Sequence, residues 1–323
     1  MTDPKIRRAA LFVLKIAVSA ALLAFVVMQA NLAGYAAIVS GLSAAPLVAV
    51  IAIIVLQMAV ISAWRLKTIL AVMGSSIDVF RAGRVTWCGF FVEQVGALFV
   101  TGDIARILLL RAAAIDLKTA IEGPLLDRLI GLAAIAAMAS AGMPYLWAGL
   151  AERQRGLILW LALAGILGMV LLTVLLALFS QLWSKMADTM RALLKRIFVI
   201  AAGLAAPYSR RRVAAVALLA FSTHALNVVA MYLLLGAVGV QIGIVTCFMV
   251  TPTVLLVSML PASISGWGVR EGALVVALQS FDLPPEQVIA ASVLFGFCVL
   301  AASLPGALIW LSLPDRGRAN PAA

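Results

Sequence analysis

Two arginines, Arg106 and Arg270, lie where an apolar chain has little use for charge. A guanidinium presents five donors in a planar fork that fits a phosphate, and it does not deprotonate. Arg270 belongs to Leu260-Pro261-Ala262-Ser263-Ile264-Ser265-Gly266-Trp267-Gly268-Val269-Arg270-Glu271-Gly272-Ala273, a stretch that interrupts apolar sequence. Pro261 lacks a backbone donor, and Gly266, Gly268 and Gly272 permit bends that other residues resist. Arg106 follows Thr101-Gly102-Asp103-Ile104-Ala105, again with apolar runs on both sides. Inside a bilayer, broken backbone and ionisable groups persist only within protein or beside a water-filled cavity. At matched depths in two broken segments, the arginines could pass a lipid phosphate from one leaflet to the other. The structural alternative is local ion pairing, Arg270 with Glu271 and Arg106 with Asp103. The second pair has the i,i+3 spacing that shares a helix face.

Glu93, Asp103 and Glu271 are candidates to pair with those arginines or to meet a cationic headgroup. Trp267, inside the broken stretch, would pack on a lipid chain or plug a cavity. Asp127-Arg128 reads either as an inner gate or as an interfacial pair capping a helix, and Glu122 is a weaker case of the same kind. The candidate substrate-binding set is therefore Arg106, Arg270, Asp103, Glu271, Glu93, Trp267, Asp127 and Arg128. His224, the one histidine, lies mid-span beside Thr223 and Asn227. A proton relay and a hydrogen-bonded contact between helices are both open there. Cys88, Cys247 and Cys298 have neither pairing nor metal spacing and read as small packing residues. The sequence holds no zinc spacing, Walker loop, nucleophile elbow or dinucleotide fingerprint. No catalytic residue, metal or cofactor is therefore assigned, and an enzyme is not expected.

The elements that must hold these residues are membrane helices. The chain has 323 residues, of which 65% are hydrophobic and 11% charged, with a mean hydropathy of +1.15. Those values lie outside the soluble globular range. A bilayer core takes roughly 20 apolar residues per helix. Spans are expected at about 11–28, 46–64, 125–147, 157–182, 213–238 and 288–313. The expected fold is all-α and polytopic, with about six transmembrane helices and two re-entrant helical hairpins, at 85–111 and 241–280. The first break is placed at Thr101-Gly102-Asp103. The basic run before span one resembles a signal peptide, but the apolar run is long for one and is taken as an uncleaved span.

Net charge is +11, which fits positive-inside bias and attraction to anionic inner-leaflet lipids rather than nucleic-acid binding. With both termini cytoplasmic, all but Arg153, Arg155 and Arg270 of the 24 Lys and Arg residues fall inside. Residues 185–212 carry seven of them. That stretch reads as a basic amphipathic helix on the inner leaflet or as a solvated loop.

The two halves look alike. Gly102-Asp103-Ile104-Ala105-Arg106 parallels Gly266-Trp267-Gly268-Val269-Arg270, and Ile115-Asp116-Leu117 parallels Phe281-Asp282-Leu283. Residues 1–150 and 151–323 are each read as two spans, a broken segment and one span, starting on opposite sides of the membrane. Inverted repeats with matching broken helices are a transporter signature, with the site at the repeat interface.

Leu260 to Gly272 resembles the signature of the lysylphosphatidylglycerol synthase transmembrane region. Gly102-Asp103 with Arg106, Asp127-Arg128-Leu129 with Gly131-Leu132, and Trp64-Arg65 match further landmarks of that family. The chain departs from it in Ala97-Leu98-Phe99-Val100-Thr101-Gly102, which has a single Gly and no Pro. The resemblance implies a flippase-like membrane domain that handles aminoacylated phospholipids, polyprenyl-linked sugars or hopanoid-related lipids. It implies a stand-alone form without the soluble synthase domain, localised to the cell inner (plasma) membrane. Its partner would be a membrane phospholipid or lipid-linked substrate. The alternative is a non-catalytic accessory subunit that docks a lipid-, hopanoid- or glycan-modifying enzyme.

Overall fold

The computed structural model describes residues 41–95, 101–149, 207–259 and 266–311, and no strand occurs among them. Helix α1 spans Ala44–Val72, with a π-helical stretch at Gln57–Ser62. Then come α2 (Val79–Val95), α3 (Thr101–Ala112) and α4 (Leu117–Gly149). The second group is α5 (Pro207–Ala237), α6 (Ile244–Ser258), α7 (Val269–Leu278) and α8 (Pro285–Leu311). A 3-10 turn at Gln279–Phe281 prolongs α7.

Among the described residues, four helices are long and apolar enough to cross a membrane: Ala44–Val72, Leu117–Trp147, Arg211–Ala237 and Pro285–Leu311. The expected spans at 11–28 and 157–182 lie outside the described residues, as do 185–206 and the basic tail.

The helices overrun the apolar windows. Helix α4 begins at Leu117, upstream of the expected 125, because the Asp116 carboxylate accepts the Thr119 N–H at 3.0 Å and caps it. Asp127 and Arg128 therefore lie inside a helix, about 15 Å along its axis, and not at its mouth. Helix α5 begins at Pro207, where proline suits a first helical position. Arg210, Arg211 and Arg212 thus lie in the first turns of that helix.

Both broken segments are present as helix pairs, α2 with α3 and α6 with α7. In the first, Thr101-Gly102-Asp103 is the opening turn of α3 and not the break. Asp103 suits the positive end of that helix, and Thr101 Oγ1 donates back to the Val92 carbonyl at 3.2 Å. A Cβ on Gly102 would lie 2.5 Å from the Gly89 carbonyl oxygen, so α3 closes on α2 at that glycine. In the second pair the break falls inside the expected motif. Gly266 and Gly268 have φ of 76° and 83°, a left-handed conformation that side chains disfavour. A Cβ on Gly266 would lie 2.9 Å from the Ser258 carbonyl oxygen.

Packing pairs recur between the two groups of helices. Helix α2 packs on α8 as α6 packs on α4, α1 on α8 as α5 on α4, and α3 on α4 as α7 on α8. Each helix pair thus leans on the last long helix of the other group. Glycines carry both crossings, as expected where lipid removes the hydrophobic drive and close approach is what holds helices together. Gly306 lies against the Trp87 backbone and Gly142 against that of Met249.

Candidate functional site

Three polar groups are built on this frame. The first joins α2, α3 and α4. Glu93 stands near the end of α2, Asp103 and Arg106 on α3, and Arg128 on α4. Arg128 Nη2 donates to Glu93 Oε1 at 3.1 Å, and its Nη1 pairs with Asp103 Oδ2. Arg106 is held more loosely, with Nη1 3.3 Å from Asp103 Oδ1 and Nη2 3.8 Å from Glu93 Oε2. Its Nε is buried and has no hydrogen-bond partner among the described residues. The side chain fits because Gly89 has none; a Cβ there would lie 2.5 Å from Arg106 Cγ and 2.6 Å from Nε. Two carboxylates and two guanidiniums balance, and the group stays reachable. Side-chain exposure runs from 14% for Arg106 to 26% for Glu93.

The second group, on α7 and α8, is closed. Glu271 Oε2 accepts the Gly268 N–H at 2.6 Å, capping α7 from its first turn. Arg270 Nε donates to Ser292 Oγ at 2.9 Å, and Nη2 donates to Glu271 Oε1 at 2.7 Å and the Ser292 carbonyl at 3.0 Å. Ser292 Oγ donates in turn to Glu271 Oε1 at 2.8 Å. The guanidinium carbon lies 5.3 Å from the Trp267 ring centre and 5.4 Å from that of Phe295, within cation–π range. Arg270 is 5% exposed and Glu271 fully buried.

Of the two readings open for Arg270, the local ion pair is present: its Nε and Nη2 donate to Glu271 and Ser292. Trp267 packs edge-on against Phe297, with ring centres 5.6 Å apart, and against Arg270. Arg106 and Arg270 have separate carboxylate partners, Glu93 and Asp103 for the first and Glu271 for the second.

The third group lies between α1, α4 and α5. Arg65 grips Asp127 with both prongs, Nε to Oδ1 at 2.5 Å and Nη2 to Oδ2 at 3.0 Å. Arg65 Nη1 reaches Thr223 Oγ1 at 3.4 Å. Gln57, at the start of the π-helical stretch, donates Nε2 to the Thr223 carbonyl at 2.5 Å and to Asn227 Oδ1 at 3.0 Å. His224 Nε2 lies 2.9 Å from the Gly131 carbonyl oxygen. Asp127 and Arg128 are adjacent in sequence but point about 100° apart around α4, so they serve different groups.

Arg65, Gln57, Thr223 and Ser292 were not among the residues expected in a site. Gln57 carried a signal, an amide in the middle of an apolar run. Ser292 carried none, since a small hydroxyl is ordinary in a membrane helix. Among the described residues, no group of three His, Cys, Asp or Glu side chains is placed to hold a metal ion.

All three groups fall within one stretch of shared ancestry. The family model for the lysylphosphatidylglycerol synthase TM region matches residues 12–306. The chain belongs to this family. No curated protein matches it. Membership in the lysylphosphatidylglycerol synthase TM family, together with the apolar helices, makes this a multi-pass membrane protein with a lipid-related function. The matched residues run from before α1 into α8, so both helix pairs and all three polar groups lie inside the family region.

Proposed function

We propose that the chain is a flippase-like transporter. It moves a phospholipid, aminoacylated ones included, or another lipid-linked headgroup between the leaflets of the inner (plasma) membrane. The observation that carries this is the first polar group, four balanced charges where the α2–α3 hairpin meets α4, paired yet reachable. Buried charge in a membrane is costly, and a purely structural network would be expected to close as tightly as the Arg270 group does. Arg106 holds its carboxylates at long range and keeps one buried N–H free. A headgroup phosphate competes for the Arg106 Nη donors that the carboxylates hold only at 3.3 and 3.8 Å, and Arg128 follows by exchanging a carboxylate for phosphate oxygen. Glu93 and Asp103, once released, are available to a cationic part of the headgroup. In this scheme Arg106 and Arg128 hold the phosphate, and Arg270 with Glu271 and Ser292 locks the second hairpin that the first works against.

The chain acts by binding and passage rather than by covalent chemistry. It has six spans and two re-entrant hairpins in inverted repeats, with both termini in the cytoplasm. The recurring packing pairs support the repeat, and the distribution of Lys and Arg supports the orientation.

The test is translocation of headgroup-labelled phosphatidylglycerol in reconstituted vesicles. Arg106→Gln is expected to slow it by about tenfold or more, the loss of one charge-assisted contact worth about 1.5–3 kcal/mol, with thermal unfolding little changed. Wild-type rates in both Arg106→Gln and Arg128→Gln would remove the proposed site. A wild-type chain that moves no headgroup but co-purifies with a lipid-modifying enzyme would favour the accessory-subunit alternative.

A further inference from the structure

The third polar group has no part in holding the headgroup, yet it is deeply buried and built from side chains of three helices. His224, the only histidine in the chain, is 7% exposed. Its Nε2 faces the Gly131 carbonyl at 2.9 Å. A carbonyl only accepts, so Nε2 carries the hydrogen, and the neutral ring leaves Nδ1 as a bare acceptor. Nδ1 is buried and has no hydrogen-bond partner among the described residues. Nδ1 is therefore the ring atom left open to a proton.

Few charges face that nitrogen. Helix α1 contributes Arg65 and α4 contributes Asp127, joined at 2.5 and 3.0 Å. Asp127 lies about one helical turn from Gly131. Helix α4 also buries Glu122 nearer its start, while its Arg128 turns to the hairpin group. Lys67 of α1 lies over Trp64. Helix α5 itself carries Arg210, Arg211 and Arg212 at its beginning, α6 has no charged residue, and α8 has Glu286 alone in its first turn. The electrostatics at His224 therefore rest on one ion pair. Thr223, the neighbour of His224, accepts from that pair's guanidinium at 3.4 Å.

We propose that His224 binds a proton at Nδ1 and that this proton drives headgroup passage, an inference whose second half rests on the transport reading. An imidazolium adds a second cation near Arg65, and repulsion between the two strains the grip of Arg65 on Asp127. Asp127 is the residue next to Arg128, and Arg128 closes the hairpin group over Glu93 and Asp103. Loosening Asp127 allows α4 to turn and Arg128 to leave its carboxylates. Proton arrival and headgroup entry thus act on the same helix. The π-helical stretch supplies slack on the opposing side, since Gln57 at its start holds Thr223 and Asn227, and such wide turns recur at functional sites. No bond is made or broken beyond the proton's own; it enters from one aqueous side and leaves to the other.

With a single histidine, the ring can be followed directly by nitrogen NMR on the full chain in lipid nanodiscs labelled with 15N-histidine. The expected record is an Nε2–H ring that becomes doubly protonated along one curve as the pH is lowered. The midpoint should move in Arg65→Lys, which keeps the charge but loses the fork. A ring that stays Nε2–H throughout overturns the site, whatever transport shows. In vesicles bearing a pH gradient, wild-type headgroup movement should change when the gradient is reversed. His224→Gln, which keeps a donor for Gly131, should lose that dependence. Titration with gradient-indifferent wild-type transport overturns the coupling. Titration with no headgroup movement at all overturns the transport reading and leaves the proton site standing.

Discussion

Gly89 faces the side chain of Arg106 with its Cα and Gly102 with its carbonyl, and substitution on the two sides should have different consequences. A Cβ at position 89 would meet Arg106 Cγ at 2.5 Å and Nε at 2.6 Å, a side chain that can change rotamer. Gly89→Ala is therefore expected to evict Arg106 while altering stability by less than about 1 kcal/mol, so headgroup translocation falls and thermal unfolding barely moves. A Cβ at position 102 would meet the Gly89 carbonyl at 2.5 Å and Glu93 Cβ at 2.8 Å, which cannot swing aside. Gly102→Ala should instead force the two arms apart and cost about 1–3 kcal/mol. If both variants unfold together, the loose fit of Arg106 has been misjudged. The sequence marked Gly102, Asp103, Arg106 and Arg270 because charges and glycines are rare and meaningful in apolar runs. It could not show that Ser292 takes up two contacts of Arg270, because that meeting joins residues on different helices. The same reason hid the split between Asp127 and Arg128, whose directions are set by which helices flank α4.

The helix pairs depend on where α2 meets α8 and α6 meets α4. Trp87 Nε1 donates to the Ala302 carbonyl at 2.9 Å across the first crossing, and Gly306 sits directly against the Trp87 backbone. Gly306→Ala should push α2 away, break that hydrogen bond and destabilise by about 1–3 kcal/mol. Gly142→Ala should do the same at the α4–α6 crossing, where the obstacle is the Met249 backbone. Gly131 is the control, since a Cβ there meets nothing within 4 Å, and alanine in a helix interior gains up to about 1 kcal/mol over glycine. Thermal unfolding of the three variants in one detergent checks the order. The centres of α1, α4, α5 and α8 were legible as apolar windows, and both hairpins as interruptions. Their ends were not, because hydropathy reports the lipid-facing length while the helix runs on to a cap such as Asp116. The first break was misplaced for a related reason. Thr101-Gly102-Asp103 has the composition of a turn, but a threonine, a first-turn carboxylate and a close-packed glycine also suit a helix start.

If the two groups of helices are inverted repeats, the mouths of the hairpins open to opposite sides. Ser76, before α2, and Gln241, before α6, are both exposed and occupy corresponding positions. The native cysteines Cys88, Cys247 and Cys298 are all buried, so a membrane-impermeant maleimide should react weakly with the parent chain. Single substitutions Ser76→Cys and Gln241→Cys then report orientation directly. In sealed right-side-out vesicles Gln241→Cys should be labelled at once and Ser76→Cys only after permeabilisation, with the order reversed in inside-out vesicles. The physical ground is the charge distribution. Arg65, Lys67, Arg81 and Arg84 flank Ser76, whereas the segment from Val238 to Gly243 carries no charge, and basic loops are retained on the cytoplasmic side. Labelling of both cysteines from one side would make the repeats parallel. Arg106 and Arg270 would then enter from the same leaflet, and passing a headgroup between two opposed hairpins would have no structural basis.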